Sequence, residues 1–117
     1  MNVIPHIEPT LATLELFGRF DAHVAPRFET WVEKNIPITF LSVIVSLSQV
    51  TFIDSKALAA LVRAREQIMQ NGGRLILCDL QQPVRIIFEL TQFDQVFELY
   101  PDYDTALEKI AHESPAG

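Results

Sequence analysis

The apolar positions along the chain change period several times, and each change predicts an element. In "TLATLELFG", Ala12, Leu14 and Leu16 alternate with Thr13 and Glu15, which predicts a strand ending near Gly18. Ahead of it, "NVIPHIE" carries a weaker strand signal broken by Pro5, as expected of an edge strand. The period then lengthens. Val24, Phe28, Trp31 and Val32 fall at i, i+4, i+7 and i+8, one face of a helix with Pro26 in its first turn and Asn35 and Pro37 at its end. Phe28 and Trp31 are expected in the core. Phe40 to Leu47 is apolar except for Ser42 and Ser46, the pattern of a strand covered on both faces.

A short turn and a helix from Ser55 to Gln70 follow, with Leu58, Leu61, Val62, Ile68 and Met69 on one side and Asn71-Gly72-Gly73 as the stop. "RLILCDL" predicts a second buried strand, "QPVRIIFELTQ" a short helix with Pro83 near its start, and "VFELY" a last short strand. "PDYDTALEKIAHE" predicts a final helix, with Asp102 as N-cap and Tyr103, Ala106, Leu107, Ile110 and Ala111 on its packed face. The order β-β-α-β-α-β-α-β-α implies an α/β layer with right-handed crossovers and an at least partly parallel sheet. Ile44, Val45, Leu75, Ile76 and Leu77 are its expected central core.

Composition narrows the function. The chain has 117 residues, enough for one domain with one real core. Its formal net charge of −6 disfavours nucleic acid and anionic lipid, which need clustered Lys and Arg, so proteins or a small molecule are the expected partners. Cys78 is the single cysteine, so no internal disulfide can form, and at the end of a buried strand it is expected to be an inert thiol. The N-terminus shows no signal-peptide pattern, and no apolar run approaches the ~20 residues of a membrane span. The expected location is the cytoplasm.

Catalytic and cofactor motifs are missing. Gly18, Gly72, Gly73 and Gly117 do not give the spacing of a phosphate or dinucleotide loop. His6, His23, His112 and Cys78 are scattered, without metal-ligand spacing. Leu16-Phe17-Gly18-Arg19 lacks the paired acids of a phosphoacceptor receiver. A triad of Ser55, His23 and Asp21 lacks the glycines of a nucleophile elbow around the serine. The expectation is no catalytic residue, no metal and no cofactor.

What remains is "VTFIDSKALAALVRA", where Asp54 and Ser55 stand between a strand and a helix. Both are preferred N-cap types. A serine at a helix N-terminus is also a favourable place for a phosphate, because the free N–H groups and the dipole stabilise an added dianion. Asp21 is expected to cap the first helix, and His23 reads as a solvated surface histidine.

In this context the sequence resembles the STAS domains, the fold of bacterial anti-sigma-factor antagonists and of sulfate-transporter tails. The likeness is carried by "LFGRFDAHVAPRFE", "VIVSLSQVTFIDSKALAALVRA", "NGGRLILCDL" and "QPVRIIFELTQFDQVFELY". It covers nearly the whole chain, implying a single STAS-like domain over residues 1–113 and a tail at 114–117. The expected fold is a mixed, mostly parallel sheet of four to five strands with about four helices. The resemblance implies an anti-sigma-factor antagonist. Its partner would be a serine kinase that is also the anti-sigma factor, Ser55 would be the phosphorylated residue, and a phosphatase would restore it. Asp21, His23, Asp54, Ser55, Lys56 and Ala57 would form the partner-binding surface of a monomer or weak homodimer. Lys56 stands where the family favours Ser or Thr, and Ala57 where glycine is usual, departures that bear on phosphorylation more than on the fold. The alternatives are a non-phosphorylated scaffold subunit of a larger complex, in which Ser55 is only a cap, and a small-ligand or nucleotide-binding module.

Overall fold

The computed structural model describes residues 3–8, 11–35 and 42–113. Pro37, Phe40 and the 114–117 tail lie outside them. The strands are β1 (Val3–Glu8), β2 (Leu11–Phe20), β3 (Ser42–Ile53), β4 (Arg74–Cys78) and β5 (Glu98–Tyr100). The helices are α1 (Ala25–Asn35), α2 (Ser55–Gln70), α3 (Gln82–Leu90) and α4 (Tyr103–Glu113), with one 3-10 turn at Phe93–Gln95. The sheet has the order β1-β2-β3-β4-β5; β1 pairs antiparallel with β2, and the other neighbours pair parallel. The predicted order and the mixed, mostly parallel sheet are therefore both present, with Pro5 on an outer strand.

Strand alternation divides the core in two. Connections of one hand between adjacent parallel strands place their helices on one face, and α1, α2 and α3 do share a face. There Leu14 and Leu16 of β2, Val43, Val45 and Leu47 of β3 and Leu75 and Leu77 of β4 meet Phe28, Val32, Leu58, Leu61, Val84 and Phe88 from the helices. The opposite face carries Ile44, Ile76 and Cys78 and is covered by α4 through Ala106, Tyr103, Leu107 and Ile110. The Thr13 and Tyr103 hydroxyls share a 3.0 Å hydrogen bond across that second layer, so the polar group on the strand is satisfied. The five expected core positions are buried, Leu75 the most exposed of them at 4 %.

Several expectations need correction. β2 does not stop at Gly18. It passes through that glycine at φ +83° and continues to Phe20, with the pairing to β3 shifting register on either side. A residue without Cβ makes this bulge possible. The strand β3 runs on to Ile53 and absorbs the expected turn. Met69 is half exposed and Ala111 is exposed, because each sits at the border of its helix's packed stripe. Trp31 is only partly buried, packing against the core from its rim.

Candidate functional site

The bulge at Gly18 decides what lies beside the start of α2. Beyond it, Arg19 pairs in register with Phe52 and Phe20 with Ile53. Phe20 turns into the core and stacks edge-on against Phe28, with ring centroids 5.4 Å apart. Arg19 lays its guanidinium over the exposed ring of Phe52, 3.9 Å from the centroid, and its Nε lies 3.6 Å from Asp21 Oδ2. This stacked pair is a feature that the sequence reading did not find. Nothing local marks it, because the register beyond a bulge sets the pairing.

Asp54 holds the site together. It is the N-cap of α2, in extended conformation (φ −117°, ψ 179°). Its Oδ1 accepts the Ala57 N–H at 2.9 Å, and its Oδ2 accepts the Ala22 N–H at 2.8 Å. Its own N–H donates to the Phe20 carbonyl at 3.3 Å. One carboxylate thus caps the helix and ties the loop after β2 to it. Within that loop Asp21 Oδ1 accepts the His23 N–H at 3.1 Å, and the Asp21 carbonyl accepts the N–H groups of Val24 and Ala25. Asp21 therefore shapes the turn ahead of α1, but its carboxylate does not cap the helix, which begins four residues later at Ala25, so the expected capping role is corrected.

With Asp54 as the cap, Ser55 takes the first helical position. It is exposed, and its hydroxyl makes no hydrogen bond to another described residue. The expectation of a capping serine is corrected accordingly: Asp54 reaches the N–H that a cap must satisfy. Lys56 is exposed beside it, and so is His23 across the loop. Ala57 is fully buried, so its methyl faces the core and is unavailable to a partner. Its part in the site is the N–H given to Asp54. The structure thus brings Asp21, His23, Asp54, Ser55 and Lys56 to one rim, together with Arg19 and Phe52.

Other candidates lack the chemistry of a site. Burial, and then the hydrogen bond and charge of Asp79, push the Cys78 thiol far above its ordinary range, which keeps it protonated and unreactive. A cleft of about 100 Å³ lies between α1 and α2, lined by Glu29, Val32, Ala60, Arg63 and Gln67 and crossed by the Glu29–Arg63 ion pair. Small-molecule sites are typically ~300–1,000 Å³, so this cleft does not favour the ligand-module alternative. Among the described residues no group of three or more His, Cys, Asp or Glu is placed to hold a metal, and no helix is long and apolar enough to cross a membrane.

Comparison with known proteins agrees with the fold. The STAS domain family matches residues 2–106. A STAS-domain containing protein of Pseudomonas aeruginosa is 26 % identical over 85 % of this chain and 97 % of its own length. The anti-sigma F factor antagonist of Paenibacillus polymyxa is 22 % identical over 83 % of this chain and 84 % of its own. Among solved structures, the Bacillus cell fate determinant SpoIIAA in its phosphorylated form superposes with a TM-score of 0.71 at 15 % identity, covering 93 % of this chain and 99 % of that one.

Proposed function

The chain belongs to the STAS domain family, and on that premise we propose that it is an anti-sigma-factor antagonist whose binding is switched at Ser55. In this reading the unmodified surface around Ser55 docks on a cytoplasmic serine kinase that is also the anti-sigma factor. Phosphorylation of Ser55 ends that contact, a phosphatase restores it, and the chain itself catalyses nothing. Asp21, His23, Asp54, Ser55 and Lys56 form the contact surface, with Phe52 and Arg19 as its apolar and cationic anchor.

The observation that carries the proposal is the division of labour at the start of α2. Asp54 does the capping, so the exposed Ser55 hydroxyl is free to be modified without breaking any bond of the fold. A phosphate there brings close to two negative charges to a helix N-terminus, where dipole and free N–H groups favour it. Lys56 adds a cation on the next residue. The domain therefore tolerates the modification, while a partner packed on the neutral serine meets an unmatched dianion. Poor charge pairing of that kind costs several kcal/mol in an interface. A phosphorylated structural neighbour and a relative named as an anti-sigma factor antagonist support the same reading.

The test begins with isolation of the partner by pull-down. Its affinity is then measured for the unmodified protein, for protein phosphorylated on Ser55 and for Ser55→Ala. The unmodified protein and the alanine variant should bind alike, and the phosphoprotein at least ~100-fold more weakly. Lys56→Glu should lower phosphate occupancy or its effect while leaving the fold unchanged. Equal affinity for modified and unmodified protein would leave a scaffold subunit as the better reading.

A further inference from the structure

The chain is acidic, with a formal net charge of −6, yet the uncommitted charges of the Ser55 rim are cations. Its two carboxylates are already engaged. Asp54 accepts an N–H on each oxygen, from Ala57 and from Ala22. Asp21 accepts the His23 N–H on one oxygen and has the Arg19 Nε 3.6 Å from the other. Lys56 is exposed, and its ammonium makes no hydrogen bond or ion pair with another described residue. The Arg19 side chain is 63 % exposed, and among the described residues only Asp21 and Phe52 engage its guanidinium.

Those two contacts orient the guanidinium. It lies 3.9 Å over the Phe52 ring with Nε on the Asp21 side, so the N–H groups on Nη1 and Nη2 remain for a partner. An arginine held from two sides loses little freedom on binding, and its fork matches a carboxylate with two parallel hydrogen bonds. Lys56 adds a second point charge beyond Ser55. Two cations are too few to hold nucleic acid or a lipid surface, which need a run of Lys and Arg and would be repelled by the rest of the chain. They suit a protein segment that presents one or two carboxylates.

We propose that the Ser55 rim receives an acidic segment of its partner protein, with one carboxylate on the Arg19 guanidinium and a second on Lys56. This rests on the reading of the rim as a contact surface, and adds what the partner must present there. It also gives the phosphate a way to act. A dianion on Ser55 stands beside Lys56, takes up its charge and repels an incoming carboxylate. Phe52 is a positioning residue, which acts by fixing the guanidinium that lies on its ring.

Two-dimensional NMR of the full chain, titrated with a capped hexapeptide that carries two glutamates, tests this without the natural partner. The same peptide with glutamines, at equal ionic strength, is the control. The glutamate peptide should shift the Arg19 Nε–H and the amides of Ser55 and Lys56 with a Kd of ~1–10 mM, and the glutamine peptide should not. Arg19→Gln should weaken binding about fivefold or more, and Arg19→Lys nearly as much, because charge alone does not restore the fork. Lys56→Gln should cost about twofold. Phe52→Leu should weaken binding about two- to threefold and remove the ring-current shift of the Arg19 side-chain protons, a change that loosening of the fold would not confine to one residue. Phosphorylation of Ser55 should weaken binding about tenfold or more. Arg19 and Lys56 are exposed, so thermal melting should be unchanged in their variants. Equal shifts from both peptides, shifts spread away from the rim, or an Arg19→Gln variant that binds like wild type would each overturn the proposal. Tighter binding of inorganic phosphate than of the peptide would overturn the assignment to a carboxylate. Peptide binding that phosphorylation leaves unchanged would count against the switch at Ser55 and not against the acidic partner.

Discussion

Replacing Asp54 with alanine removes two hydrogen bonds at once, and the two can be separated by choice of variant. The cap to the Ala57 N–H spans 2.9 Å within one turn of α2, and such caps contribute ~0.5–2 kcal/mol. The bond to the Ala22 N–H spans 2.8 Å but bridges 32 residues at an exposed position, so about 1 kcal/mol is reasonable for a charge-assisted bond in competition with water. Asp54→Ala should therefore cost ~1.5–3 kcal/mol. At ordinary urea sensitivity that moves the unfolding midpoint down by roughly 1–2 M. Asp54→Ser keeps a capping oxygen but cannot also reach Ala22, and should cost only ~1 kcal/mol. In the serine variant the Ala22 amide should exchange with deuterium much faster than in wild type, while the Ala57 amide keeps most of its protection. If Asp54→Ala costs less than ~0.5 kcal/mol, or if serine is as damaging as alanine, the carboxylate is not the joint between the β2–α1 loop and α2.

Gly18 holds φ +83° with no atom near the place where a Cβ would stand, so Gly18→Ala should cost ~1–2 kcal/mol through backbone strain alone, read by thermal or urea unfolding. Burial pushes the Glu98 carboxyl up, but two hydrogen bonds from Arg74, at 2.7 and 2.6 Å, and its charge outweigh this and hold it below its ordinary value of 4.5. Because the folded state releases this proton more readily than the unfolded state, the stabilisation is complete above 4.5 and fades as pH falls through the lower folded value. Glu98→Gln should therefore flatten the loss of stability on acidification, as followed by urea midpoints across that range. Cys78, buried and fully protonated, should resist a thiol reagent in native protein and react promptly in denaturant; rapid labelling of the native state would contradict its surroundings.

Much of this protein was legible along the chain, because caps, periods and breakers act over a few residues. The helix from Ser55 to Gln70, its stop at Asn71-Gly72-Gly73, the Asp102 cap and the alternation of strands and helices are all local patterns, and each is present. So is the placing of Ser55 at the start of α2, which the resemblance to STAS domains singled out. Other features depend on which strands pair and in what register. The bulge at Gly18 carries β2 on to Phe20 and sets Arg19 over Phe52, a contact between residues 33 apart in sequence that no local period encodes. The capping role passed from Ser55 to Asp54, and only the packed loop shows that the same carboxylate also holds Ala22. The burial of Ala57 and the exposure of Met69 were settled by how α2 lies on the sheet, since helical period gives a stripe but not its edges. The chain by itself thus determined its elements and their order, through interactions that close within a turn or a strand. The arrangement of residues around Ser55, the contact surface proposed above, was decided only when strands and helices distant in sequence came into register, because long-range pairing leaves no mark on any single stretch of sequence.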